Sequence, residues 1–254
     1  MKKAGIIGFG RFGALLAGVC QPVFEVYIVE SNLDCADKAR ASGFSVIAFE
    51  ELTNMDFIFL AVPIFQTESV IQQLAPLVQE NQVIADVCSV KVYPVNLMKK
   101  YLGKAQIIGT HPLFGPDSAK IGLKSLPVAF CPVSIAPENE LLLRQMWESQ
   151  GVIVVDTTPE KHDKDAVYSM AFTYSIASII LNMDFPVIAF TTRSYNAIRE
   201  IATISANDSE QLFHDMLFYN PFYAAMKAEL DVSIAKTKNR LEAIAAEQVS
   251  TGLL

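Results

Sequence analysis

Short apolar, β-branched runs alternate with segments of helical period through the first 157 residues, the pattern of parallel strands joined by crossover helices. Strands are predicted at 4–9, 25–30, 45–49, 56–62, 82–87, 105–110, 128–133 and 151–157, with helices at 11–20, 33–42, 66–79, 93–101 and 138–150. The fold class is therefore α/β, with a doubly wound parallel sheet. After Thr158 no strand pattern returns. Thr158-Pro159 reads as an N-cap followed by proline at the first helical position. Helices are predicted at 159–184, 186–204, 208–219 and 222–247, broken at Pro186 and Pro221, because proline removes an amide donor. The chain divides into an α/β domain at 1–157 and an all-helical domain at 158–254.

Composition narrows the function classes. Hydrophobic residues make up 52% and charged residues 19%, enough for a folded core. A net charge of −7 and a pI near 5.0 argue against nucleic acid or an anionic membrane as partner. The apolar run after Lys2 and Lys3 is too short for a secretory signal. The stretch 170–190 approaches a bilayer span but is interrupted by Asn182, Asp184 and Pro186, so it is predicted to be a buried helix. A mean hydropathy of +0.31 points to apolar surface hidden in a homodimer. Apolar stripes such as Phe213, Met216, Leu217, Phe222 and Met226 place that interface in the helical half. Cys20, Cys35, Cys88 and Cys131 form no metal-type cluster and read as reduced, buried cytoplasmic thiols, with no metal site.

Gly8-Phe9-Gly10-Arg11-Phe12-Gly13 is a G-x-G-x-x-G that closes the first strand and opens the first helix. Such a turn brings backbone amides to a pyrophosphate, at the N-terminus of the helix. The second strand ends at Glu30, about where a carboxylate accepts the adenosine ribose hydroxyls and repels a 2′-phosphate. These residues, with Val62 and Pro63 at the end of the 56–62 strand, predict a site for NAD. Ser31, Asn32 and Arg11 leave room for NADP.

Chemistry is predicted at two further strand ends, where doubly wound folds bind ligands. DVCSVK (86–91) offers Ser89 and Lys91, and GTHPLFGPD (109–117) offers His111 on a proline-stiffened loop. Of three histidines, His162 and His214 fall in predicted helices on polar-facing stretches, which leaves His111 as the base for dehydrogenating an alcohol. Ser89 is placed to fix its tautomer or to orient the alcohol.

With GFGRFG, TESV (67–70), DVCSVK, GTHPLFGPDSAKIGL (109–123) and LFYN (217–220), the chain resembles the prephenate and arogenate dehydrogenases of tyrosine biosynthesis, closest to the plant-type arogenate branch. The resemblance covers most of the chain and is strongest in residues 5–133. It implies a Rossmann domain, an all-helical dimerisation domain, and NAD-dependent oxidative decarboxylation of prephenate or arogenate in a pocket between them. It assigns His111 as the base that meets the ring hydroxyl, with Ser89 beside it. The resemblance also implies a substrate set of Arg199, Tyr174, Asp117 and Lys91, with Arg193 as the rival for the arginine. Many family members carry a second histidine twelve positions after that of a His-Asp pair, and counting from His162 gives Tyr174 here. Another Rossmann NAD(P)-dependent reductase, or a non-catalytic nucleotide-binding homologue, stands as the alternative.

Overall fold

The computed structural model describes residues 1–183, 186, 188–205 and 209–251. Its strands are β1 Lys2–Ile7, β2 Phe24–Val29, β3 Ser45–Val46, β4 Phe57–Leu60, β5 Val83–Asp86, β6 Gln106–Pro112, β7 Pro127–Ser134 and β8 Ile153–Asp156. Among the described residues they form one sheet in the order β3-β2-β1-β4-β5-β6-β7-β8. Neighbours are parallel except β6 and β7, which pair antiparallel with Pro112 opposite Val128. The sequence pattern missed this reversal. The connection 113–126 holds only a four-residue helix, too little to cover a sheet face as a parallel crossover would.

The helices of the sheet are α1 Arg11–Cys20, α2 Leu33–Ala41, α3 Thr67–Leu74, α4 Val92–Tyr101, α5 Pro116–Ala119 and α6 Pro137–Glu148. Leu16 and Cys20 of α1 and Trp147 of α6 pack with Phe24, Phe57 and Phe59 on one face. Leu52, Ile71, Leu74, Val95 and Met98 fill the other. Each such side chain contributes about 1.5–3 kcal/mol when fully buried. The expected strand at 45–49 shortens to β3, because a 3-10 turn begins at Phe49, where Glu51 accepts the Ala48 amide at 2.8 Å.

Beyond β8, Thr158 Oγ1 accepts the Lys161 amide at 3.2 Å and starts α7 Pro159–Ala166. A π-helical segment, Val167–Phe172, runs on into α8 Thr173–Asn182. Then come α9 Arg193–Ser205, α10 Glu210–Phe218 and α11 Tyr223–Ser250. The helix expected from 186 starts seven residues later, at a Thr192 hydroxyl that accepts the Tyr195 amide. The stretch expected to be buried is only partly so: Ala177 and Ile180 are covered, but Ile179, Leu181 and Met183 face outward. Among the described residues no helix is long and apolar enough to cross a membrane; Asp184, one of the expected interruptions, lies outside them.

The helical part meets the sheet part through a small cluster of Ile64, Cys88, Val90 and Met216, with Tyr174 packed against it. Tyr93 and Tyr219 lie 4.4 Å apart between ring centroids at the same junction. From Asp231 to its end at Ser250, α11 is exposed on every side.

Candidate active site

The strand order reverses between β1 and β4, which opens a crevice at their carboxyl ends. The glycine turn sits there. Gly8 has φ of +101°, and a Cβ on Gly13 would stand 2.2 Å from the Gly8 carbonyl oxygen, so neither position accepts a larger residue without distortion. At Gly10 a Cβ would meet nothing within 4 Å. That glycine caps α1 without a side-chain acceptor, and the first turn of α1 holds no acidic residue. The helix start thus presents open amides and free space, which fits a dinucleotide pyrophosphate. Glu30 Oε2 accepts the Phe9 amide at 2.7 Å and Oε1 accepts the Asn32 amide at 2.8 Å. Val62 packs beside Gly8, and Pro63 follows it on the surface. Phe9 is buried against Phe44, and Phe12 lies partly within the same core.

Arg11 pairs with Asp117 at 2.5 Å, and Lys120 with the other oxygen of Asp117 at 2.7 Å. Hydrogen bonds from Lys120 and Arg11 hold that carboxyl below its ordinary value. Asp117, expected in the substrate set, is thus paired with the arginine of the glycine turn in this structure.

His111 lies near the end of β6 and is 5% exposed. Its imidazole is held well below the ordinary value by burial, then by His162 and the Lys91 ammonium, so it stays neutral at pH 7. Nδ1 of His111 is 2.8 Å from Nε2 of His162, and Nδ1 of His162 is 2.8 Å from Asp163 Oδ1. Asp163 in turn accepts the backbone amides of Lys91 at 2.6 Å and Val92 at 2.9 Å, capping the start of α4. Asn220 Nδ2 donates to the Asp163 carbonyl at 2.9 Å. The expectation that His162 lies on a polar face is overturned. Its helix is polar by composition, but its first turns are pressed against α4.

Lys91 is fully buried and ion-paired with Asp86, which also accepts the Cys88 amide. The Lys91 ammonium is thus enclosed with Asp86 at the β5–α4 loop and presents no surface in this structure. Burial raises the Asp86 carboxyl despite Lys91, and pushes the Cys88 thiol up to about 12. Ser89, half-buried in the same loop, is not hydrogen-bonded to His111; among the described residues that Nδ1 is engaged by His162. Tyr174 stacks on Phe213 with centroids 5.6 Å apart. Arg199 is partly buried on α9, which packs on α8, and Arg193 stands exposed at the start of α9.

Sequence reasoning gave no site role to His162, Asp163, Asp86 or Asn220; the His162–Asp163 pair served there only as the reference point for Tyr174, and its contact with His111 shows only in the fold. Among the described residues no cluster of histidine, cysteine and carboxylate side chains fits a metal.

The chain is 28% identical to arogenate dehydrogenase 2, chloroplastic, of Arabidopsis thaliana over 94% of its own length and 70% of that protein. Its fold matches prephenate dehydrogenase from Aquifex aeolicus, solved with hydroxyphenyl propionate and NAD+, with a TM-score of 0.76 at 19% identity, covering 98% and 92% of the two chains. Synechocystis arogenate dehydrogenase gives 0.69 at 20% identity, covering 94% and 93%. The family described as "Prephenate dehydrogenase, nucleotide-binding domain" matches residues 22–167, a stretch that holds both strand-end loops and the His162–Asp163 pair, and the chain belongs to that family.

Proposed function

We propose that this protein catalyses NAD-dependent oxidative decarboxylation of prephenate to 4-hydroxyphenylpyruvate, or of arogenate to tyrosine. The observation that carries the reading is a buried, neutral histidine at the carboxyl end of β6, in the same sheet whose β1–β4 crevice holds an open glycine turn. Gly8, Phe9, Gly10, Arg11, Phe12, Gly13, Glu30, Val62 and Pro63 would hold NAD, whose nicotinamide supplies the hydride acceptor. His111 accepts the proton of the ring hydroxyl as the carbon beneath it is oxidised. A base so placed is worth typically ~10²- to 10⁴-fold. Loss of the ring carboxylate as CO2 then yields the aromatic phenol. Ser89 orients the hydroxyl, and Arg199 binds a substrate carboxylate in the planar, two-pronged manner of guanidinium. Tyr174 lends a neutral hydroxyl where many relatives carry a histidine.

In this reading residues 1–157 bind the dinucleotide, and 158–254 complete the substrate pocket and form a homodimer. Support for the dimer comes from exposed Val232, Ile234, Leu241, Ile244 and Val249 on α11, beside an apolar groove lined by Phe172, Ile176, Ile179 and Leu230. Four free thiols fit a reducing compartment such as the cytoplasm. NADH formation measured with prephenate and with arogenate tests the activity. Turnover of one or both is expected, and none with either would refute it.

A further inference from the structure

We propose that His162 is a positioning residue: anchored on Asp163, it fixes the tautomer of His111 so that Nε2 of His111 is the basic nitrogen. The inference rests on the reading of His111 as the base. It follows from donor and acceptor roles along the chain of contacts. Asp163 accepts two backbone amides of α4, Lys91 N–H on Oδ1 and Val92 N–H on Oδ2, so its carboxylate faces the helix start as an acceptor. His162 Nδ1, 2.8 Å from Oδ1, must then carry a hydrogen. With that hydrogen on Nδ1, Nε2 of His162 is left to accept, and that atom is 2.8 Å from His111 Nδ1. His111 donates through Nδ1, which leaves Nε2 bare. This is the reverse of the form that free neutral histidine favours.

The charged and titratable groups around the pair make this orientation matter. Lys91 opposes a positive charge on His111, while the Cys88 and Cys131 thiols are pushed up to about 12 by burial and stay neutral. The nearby carboxylates are Asp86, committed to Lys91, and Asp163, which reaches His111 only through His162. When His111 Nε2 takes the substrate proton, the imidazolium is steadied by donating Nδ1–H to a ring whose own N–H is held by a carboxylate. Asp163 also caps α4, so one side chain ties the base to the loop that carries Ser89.

The test uses the full-length protein labelled with ¹⁵N-histidine. Only three histidines are present, so long-range ¹H–¹⁵N spectra assigned with His111→Asn and His214→Gln resolve each ring. The neutral His111 of the wild type is expected as the Nδ1–H form. His162→Leu is expected to convert it to the Nε2–H form and to lower kcat about 10²-fold or more, with KM changed less than about threefold. His162→Gln, whose amide donates to Asp163 and whose carbonyl accepts from His111, is expected to restore the Nδ1–H form and most of kcat. An Nε2–H form in the wild type overturns the proposal, as does near-normal kcat in His162→Leu. A His162→Gln that keeps the Nδ1–H form yet is as slow as His162→Leu overturns it too. Should His162→Leu not fold, the wild-type spectrum and His162→Gln decide. An Nδ1–H spectrum without turnover of either substrate would fault the assigned activity and not the tautomer.

Discussion

Glu30 grips the glycine turn: one carboxylate oxygen takes the Phe9 amide and the other the Asn32 amide, tying the end of β2 to the loop after β1. The group proposed to read the ribose is thus also the brace of the pyrophosphate turn. Glu30→Ala is expected to lower kcat/KM for NAD at least tenfold, since a hydrogen bond to a charged group is worth about 1.5–3 kcal/mol. The preference for NAD over NADP should shrink with it. Initial rates with both cofactors check this, and an unchanged ratio would remove Glu30 from cofactor selection.

Gly13 admits no side chain. Its Cβ would lie 2.2 Å from the Gly8 carbonyl, and both partners are backbone. Gly13→Ala is expected to cost about 1–3 kcal/mol, the usual penalty for overpacking, and to weaken NAD binding more than tenfold. Thermal unfolding and cofactor titration measure the two effects.

His111→Asn should lower kcat by about 10²- to 10⁴-fold with little change in KM. Because burial lowers the imidazole well below its ordinary value, its protonation does not limit kcat/KM between pH 8 and its unfolded value of about 6.5. The loss comes only at lower pH. Stability has the same sign. The unfolded chain binds this proton before the folded one, so the contribution is complete above pH ~6.5 and is lost as pH falls toward the folded value. A pH–rate profile with an acid limb centred at or above pH 6.5 would contradict the assignment.

Lys91 and Asp86 are both fully buried; Lys91 pairs with Asp86 Oδ2, and Oδ1 has no hydrogen-bond partner among the described residues. Lys91→Met leaves a buried carboxylate alone and is expected to destabilise by about 3–5 kcal/mol. Adding Asp86→Asn should recover part of that loss, because the remaining amide carries no charge. Denaturant unfolding of the single and double variants checks both outcomes.

Leu241 and Ile244 are exposed on α11. The double variant Leu241→Asp, Ile244→Asp is expected to halve the mass seen by light scattering while leaving the sheet domain folded. A wild-type protein that is monomeric at micromolar concentration would refute the dimer.

The sheet was legible because apolar runs in buried parallel strands carry their own signature, and the glycine turn marks the end of β1 without help from tertiary contacts. Antiparallel β7 was not, since its sequence is as apolar as its parallel neighbours and direction is set by the connection. His111 stood out by its place at a strand end. His162 did not, because PEKHDKDA is a polar helix whose buried side exists only once α4 is packed against it. The burial of Lys91 was hidden for the converse reason: a lysine at a strand end reads as solvent-facing until Asp86 is seen beside it.

The π segment at 167–172 sets the phase of everything after it. Twelve residues of regular α-helix wind through about three and a third revolutions, which would leave Tyr174 roughly a third of a turn away from His162. Wider i→i+5 turns wind less per residue and bring the two back toward a common azimuth. Removing one residue there, and so restoring an even screw, would swing α8 through about 100° and turn the Tyr174 ring away from Phe213, on which it stacks.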